Sequence, residues 1–374
     1  MTRMTSGGRR LRIDIVGGGI GGVTLAAALH HFDRPFRLFE RAPALKAVGY
    51  GLTLQKNALD ALDLIGLGQA IRRRGVAIKT GLLRQPSGRV LPSAAAELCA
   101  VHRATLIAEL SVRVPPESFL LGQQIDEVTD ADIVIAADGF HSKLRSRVAP
   151  GEGAPRDCGY TAWRGLAART PTIDRSINGA AASETWGRGT RFGIVPIDGN
   201  QIYWFAVAPI EPFGDASRTR RFLLDTFRGW HEPIGALLDE TAPGLVLESK
   251  IVDRLPIPTW SAGKVVLLGD AAHPMTPNLG QGGCQAVEDA VVLAHLIRAC
   301  CEGRIELSAV APRYEQQRRA RAYGIVEQSF GVGRLARQSN PIVVAIRDSL
   351  FRMIPPRVQA RQLARIVTFP GAPD

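Results

Sequence analysis

Over the first 150 residues, short apolar runs rich in β-branched side chains alternate with stretches whose apolar positions recur at helical spacing. Residues 11–16 (LRIDIV) are such a run, interrupted by the charged residues Arg12 and Asp14, and they lead into 17–22 (GGGIGG) and then 23–30 (VTLAAALH). This order predicts a buried parallel strand, a glycine turn and a helix. Residues 36–39 (FRLF) supply the next strand, which completes a βαβ unit. Further along, 57–72 has helical spacing, 76–91 reads as a hairpin turned by Pro86-Ser87-Gly88, and 103–110 reads as a helix. Residues 133–136 (IVIA) form another buried strand, ending in Ala137-Asp138-Gly139.

The pattern changes between 159 and 247. Segments 161–167, 191–195 and 201–206 are short and rich in aromatic and β-branched residues, as antiparallel strands are. The run 264–268 (KVVLL) then restores the earlier style, entering Gly269-Asp270 and a long helical segment over 285–300. The tail has helical spacing over 314–321, 330–337 and 342–353, with arginines opposite the apolar positions. An α/β protein follows, in which one discontinuous domain is interrupted by a β-rich one.

Composition narrows the class. The 374 residues carry 45% hydrophobic and 22% charged side chains, a globular balance. No apolar run reaches the roughly 18 residues of a membrane span, and the basic, polar N-terminus lacks the apolar core of a secretion signal. The five cysteines (Cys99, Cys158, Cys284, Cys300 and Cys301) show no zinc spacing, so no metal site is expected and the cytoplasm is the expected compartment. The net charge of +11 is uneven: from 304 onward there are 12 Arg and no Lys against five acids. Those arginines read as the solvated face of amphipathic helices, with a phosphate-binding or membrane-surface stripe as the alternative. No DNA- or RNA-binding motif accompanies them, so no nucleic-acid partner is expected.

The glycine run carries the first chemistry. Gly17, Gly19 and Gly22 fit G-x-G-x-x-G: a tight turn, a backbone open to a pyrophosphate, and close helix–strand packing. A helix N-terminus there offers free N–H groups and a favourable dipole to an anion. Glu40 ends the second strand 18 residues after Gly22, where a carboxylate can hold ribose hydroxyls. This much predicts a dinucleotide and leaves FAD and NAD open.

Later motifs decide between them. Val101-His102-Arg103 opens a helix, and Ala137-Asp138-Gly139 precedes Ser142-Lys143-Leu144-Arg145. Gly269-Asp270-Ala271-Ala272-His273-Pro274 continues through Pro277-Asn278-Leu279-Gly280-Gln281-Gly282-Gly283 to Ala290. With the glycine motif and Glu40, in this order, the chain resembles the FAD-dependent aromatic hydroxylases and epoxidases of the p-hydroxybenzoate hydroxylase fold. It is most similar to the branch holding salicylate and urate hydroxylases and zeaxanthin epoxidase.

The resemblance implies a Rossmann-like FAD-binding domain of the glutathione reductase type, made of 9–75, 97–155 and 250–303. It implies a mostly antiparallel substrate domain from 76–96 and 156–249, and C-terminal Arg-rich helices over 304–374. Glu40 and Arg41 would then bind the adenosine ribose side of FAD, and Arg103 would lie along the phosphate and ribityl region. Asp138 and Gly139 belong to a motif tied to FAD pyrophosphate and NAD(P)H. Gly269 and Asp270 would meet the ribityl chain, while Pro277, Gly280, Gly282 and Gly283 would bring a helix N-terminus to the flavin's N1/C2 edge, where negative charge develops. NADH or NADPH would be the co-substrate. The implied chemistry passes through a flavin C4a-hydroperoxide that gives one oxygen of O2 to an aromatic or polycyclic substrate by hydroxylation or epoxidation. A monomer or homodimer is expected, without an integral membrane partner.

At the substrate end, the resemblance makes Arg191 and Tyr203 candidates for orienting a polar group, and His273 a candidate proton shuttle. Trp163, Phe192, Tyr203, Trp204 and Phe205 are lining candidates, about half of which strand alternation would turn into a core. Asn278 stands where the urate branch has an acid that serves urate deprotonation, so urate is not the expected substrate. One segment departs from the family pattern: only Thr129 to Asp132 separate the strand expected over 119–128 from the one at 133–136, so the usual β-meander is missing. FAD is expected to be held less tightly as a result. The alternative function is a flavin-fold cyclase or isomerase in which FAD is structural and no net redox occurs. A flavin-dependent halogenase is disfavoured because Trp186 leads into Gly187-Arg188-Gly189 in place of a W-x-W-x-I-P run.

Overall fold

The βαβ unit forms as its spacing predicts and seeds a six-stranded sheet. A computed structural model describes residues 10–45, 50–177, 181–198 and 200–373. Strand Ile13–Val16 lies between Arg37–Glu40 and Ile133–Ala136, both parallel to it. Phe119–Leu121 and Val265–Leu267 extend the sheet in parallel on either side, and Ser261–Ala262 closes one edge antiparallel. Helices Ile20–His31 and Gly282–Cys301 pack on each other over this sheet and bury nearly every apolar side chain they carry. They belong to one continuous core with the strands.

The expected strand over 119–128 is only three residues long, and 122–132 contains no strand. What fills the place of a meander is a short loop tied to the first strand. Thr129 Oγ1 donates to Asp14 at 2.6 Å, and Arg37 closes on the same carboxylate with two bonds of 2.8 Å. Asp14, the acidic residue within the first apolar run, is thus fully buried and paired.

The β-rich segment builds an eight-stranded sheet. Its order runs Leu247–Asp253, Arg156–Ala168, Gln201–Ala208, Arg191–Ile197, Ala181–Trp186, Val76–Arg84, Val90–His102 and Gly51–Gln55. All neighbours are antiparallel except Ala181–Trp186 with Val76–Arg84. The sheet thus reaches into two stretches expected in the other domain: Gly51–Gln55 is its edge strand, and Val90–His102 runs on to the start of helix Arg103–Ser111. Strand alternation splits the aromatic candidates. Trp163, Phe192 and Trp204 point into a core beneath helices Ala216–Thr226 and Ile234–Glu240, whereas Tyr203 and Phe205 point the other way.

The helical segment expected over 57–72 is broken by Gly66, at φ +69°, into Lys56–Asp63 and Gly68–Arg74. In the tail, the two segments expected at 314–321 and 330–337 are one helix, Leu307–Ala336, followed by Pro341–Met353 and Pro356–Val367. The reading of its arginines as a solvated face is corrected at two positions. Arg318 is fully buried between Glu288 and Asp289, and Arg347 is buried beside Asp348. Both acidic partners of Arg318 come from the motif-bearing helix, so its charge is drawn inward by theirs. Among the described residues no helix is long and apolar enough to cross a membrane, and no cluster of side chains could hold a metal.

Candidate active site

A cavity of about 530 Å³ runs between the two sheets, from the glycine turn to the face of the β-rich sheet. Its walls fall into two chemically distinct ends.

At the first end the lining is largely backbone. Gly19, Gly139, Gly269, Gly280, Gly282 and Gly283 line it together with Arg103, Asp270 and Pro277. The three motif glycines differ in their surroundings. Gly17 turns at φ +111°, and a Cβ there would sit 2.4 Å from Ala137 O. A Cβ on Gly22 would lie 1.9 Å from Gly17 O, while one on Gly19 would meet nothing within 4 Å. Gly22 is therefore needed for packing, and Gly19 for the open space above it. Helices Ile20–His31 and Gly282–Cys301 both begin here without a side-chain cap, which leaves first-turn N–H groups for a ligand.

The carboxylates at this end are arranged around the loop. Glu40 accepts from Gly18 N at 2.7 Å and Ala42 N at 2.9 Å, which fixes it beside the glycine turn. Asp138 Oδ2 accepts from Lys143 N, while its buried Oδ1 has no partner. Burial pushes the Asp138 carboxyl up. Burial also raises Asp270, against the charges of His273 and Arg103. Arg41 is exposed on the turn after Glu40, outside the cavity lining. An orphaned acceptor, open glycines and uncapped helix ends suit the phosphates and hydroxyls of a dinucleotide, so the residues present fit FAD.

At the other end side chains make the walls. Val195, Tyr203, Phe205, Val207 and Leu247 give an apolar surface. Arg191 crosses it almost fully buried, donating to Asn278 Oδ1 at 2.6 Å and Glu184 Oε1 at 3.1 Å, and its Nε has no partner. Asn278 is held in turn: its Nδ2 donates to Thr276 Oγ1 and to Ser329 O, each at 2.9 Å, and to Tyr160 OH at 3.1 Å. Ser329 and Gly333 come from helix Leu307–Ala336, so the tail supplies part of this wall; a Cβ on Gly333 would lie 2.3 Å from Asn278 Nδ2. Burial raises the Tyr203 hydroxyl, against the charge of Arg164.

His273 is not in the lining. It is buried under the first end, with Nε2 2.6 Å from Asp289 Oδ2. The same Asp289 oxygen accepts from Gly269 N at 3.1 Å, and Oδ1 accepts from Arg318 Nε at 2.7 Å. Burial alone would raise the Asp289 carboxyl, but the charges and bonds of His273 and Arg318 outweigh it and hold the group at about 2. Glu288 beside it takes Asn57, Gln285, Arg318 and Arg321. Cys284 is no nucleophile here, since burial pushes its thiol up to about 12.

Glu184, Arg164 and the Glu288–Asp289–Arg318 network were not among the residues expected to matter. Alternation along Ala181–Trp186 places Glu184 and Trp186 on one face, but nothing in the sequence says which sheet face meets the cavity. Arg318 looked like its solvated neighbours because its partners lie 29 and 30 residues away.

Comparison with known proteins settles the class. Residues 116–329 match the family described as FAD binding domain. The aurachin C monooxygenase/isomerase of Stigmatella aurantiaca is 39% identical, over 94% of this chain and 96% of its own. The chain belongs to the FAD-dependent monooxygenases. Within this family of aromatic hydroxylases, a 2-heptyl-3-hydroxy-4(1H)-quinolone synthase of Pseudomonas aeruginosa is 31% identical over 96% of this chain and 98% of its own. The fold matches Klebsiella pneumoniae HpxO complexed with FAD and uric acid at a TM-score of 0.86, with 24% identity and 96% of each chain covered.

Proposed function

We propose that this monooxygenase consumes NADH or NADPH and places one atom of O2 on a bicyclic aromatic ring, with nitrogen heterocycles of the 4-quinolone kind as its substrate class. The net change is substrate, O2, NAD(P)H and a proton to oxygenated substrate, water and NAD(P)+. The observation that carries the reading is the two-ended cavity, in which a dinucleotide cradle opens directly onto an apolar slot bearing one buried arginine. The relatives named for aurachin C and for a heptyl hydroxyquinolone support the substrate class.

Bound FAD supplies the activation of O2 with electrons taken from the nicotinamide. The remaining work falls to side chains. Gly17, Gly19 and Gly22 would admit the pyrophosphate, Glu40 would hold the ribose, and Arg103, Asp138, Gly139, Gly269 and Asp270 would hold the stretch between them and the ring. Gly282 and Gly283 would offer first-turn N–H groups to the ring edge, where charge accumulates on reduction, with Pro277 and Gly280 shaping the turn that leads into their helix. Val195, Phe205 and Val207 exclude water from the reacting face. Arg191 and Tyr203, both in the cavity wall, orient the substrate's polar edge. His273 acts as a positioning residue, holding Asp289 under the Gly269 turn.

The test is nicotinamide oxidation by the purified, flavin-loaded protein with and without 2-heptyl-4(1H)-quinolone under 18O2. Substrate-stimulated oxidation with one labelled oxygen in the product is expected. A colourless protein that cannot be reconstituted with FAD would overturn the reading. Product formed without nicotinamide oxidation would favour a non-redox isomerase, the activity joined to monooxygenation in the name of the Stigmatella relative.

A further inference from the structure

Helix Pro341–Met353 is inside out. Its two charged residues in mid-helix, Arg347 and Asp348, are the ones it buries. They pair with each other at 2.9 Å; Gln85 donates to Asp348, and the Arg347 guanidinium lies over the Trp186 ring with Phe351 edge-on beside it. The opposite face shows solvent Ile342 (70% exposed), Ile346 (55%), Leu350 (56%) and Met353 (75%). At 100° per residue these four fall on one stripe, with Val343 at its border. A soluble helix places these two classes the other way round, and single exposed apolar residues are ordinary where a continuous stripe is not.

The surroundings indicate what covers the stripe. Arg352 follows on the same helix, and Arg357, Arg361 and Arg365 recur every four residues on helix Pro356–Val367, all exposed. From 349 to 373 the sequence holds no acid. A second copy seated on the stripe about a two-fold axis would bring these arginines together with nothing to answer them. An anionic lipid surface answers both features, since its acyl boundary takes the apolar stripe and its headgroups take the arginines.

We propose that helices Pro341–Met353 and Pro356–Val367 dock this enzyme peripherally on anionic bilayers. The inner face of the docking helix seats on Trp186, whose indole donates to Glu184 in the cavity wall. Docking therefore brings the substrate end next to the phase into which an alkylated ring partitions. The docking itself is independent of the substrate assignment.

Co-sedimentation of the full-length flavin-loaded protein tests it, using vesicles of phosphatidylcholine alone and with about one-third phosphatidylglycerol. Binding to the anionic vesicles is expected, weakened at roughly 0.5 M salt. Ile346→Asp/Leu350→Asp should lower it by at least about tenfold, and Arg357→Gln/Arg361→Gln several-fold. Both variants should keep the wild-type flavin content and unfolding midpoint, because these side chains face solvent. The proposal fails if the wild type stays in the supernatant with anionic vesicles, or if the apolar double variant pellets as well as the wild type. It also fails if light scattering finds a dimer that this variant dissociates without any vesicle binding.

Discussion

The two ends of the cavity are built from different parts of the polypeptide. At the cradle, the atoms facing the ligand are mostly backbone, and what matters about Gly17, Gly19 and Gly22 is the side chain they lack. At the substrate end the facing atoms are side chains, held by a chain of contacts from Glu184 through Arg191 and Asn278 to Ser329. A backbone site tolerates almost no change at its key positions and leaves a fixed signature in the sequence. A side-chain site can be re-cut for another substrate while the cradle stays as it is.

The sharpest way to break this distinction is to remove the one piece both ends share. Arg318 pairs with Glu288 and with Asp289, which braces the Gly269 turn, and its helix carries Ser329 and Gly333 to the substrate wall. Arg318→Met leaves buried Asp289 without its arginine and Glu288 with Arg321 alone, an imbalance that costs about 3–5 kcal/mol when one partner of a buried pair is lost. Urea unfolding should register that loss, and both flavin content and turnover should fall with it. Next in size is a change confined to the cradle. Gly22→Ala places a Cβ 1.9 Å from Gly17 O, so the turn must move. FAD affinity should drop by up to roughly a hundredfold, since forcing an extra methyl into a close contact costs about 1–3 kcal/mol. Titration of the apoprotein with FAD measures this, and the far-ultraviolet spectrum should stay unchanged.

The same distinction explains how much could be read in advance. The βαβ unit, the acid at Glu40 and the Gly269–Ala290 run were legible because local spacing alone specifies a turn and a helix N-terminus. The antiparallel character of the second sheet was legible from composition. Its order was not, because pairing Gly51–Gln55 with Val90–His102 depends on contacts some 45 residues apart. Alternation warned that half the aromatics would face a core, but which half depends on where helices Ala216–Thr226 and Ile234–Glu240 pack, and those put Trp163, Phe192 and Trp204 beneath them. His273 followed a flavin-edge motif in sequence and still lies under the floor, since one residue of turn geometry decides which way an imidazole points. Arg318 and Arg347 misled for a related reason: a charge on a helix reads as solvated until its distant partner is known.

The smallest expected effect, and the one that isolates the substrate end, comes from Arg191. Arg191→Gln keeps a donor near Asn278 Oδ1 but removes the charge that faces Glu184 at the substrate end. No cradle residue touches this side chain, so FAD affinity and the rate of flavin reduction without substrate should match the wild type. What changes is the fit of the substrate's polar edge: losing one hydrogen bond from a charged donor costs about 1.5–3 kcal/mol, or roughly 10- to 150-fold in kcat/KM. The loss should be accompanied by uncoupling, with nicotinamide consumed faster than product forms, because a poorly seated ring no longer excludes water. Parallel assays of nicotinamide, peroxide and product measure both quantities. Unchanged coupling with altered FAD affinity would instead show that the two ends are not separable, and that Arg191 reaches the cradle through Asn278 and the Gly280 turn.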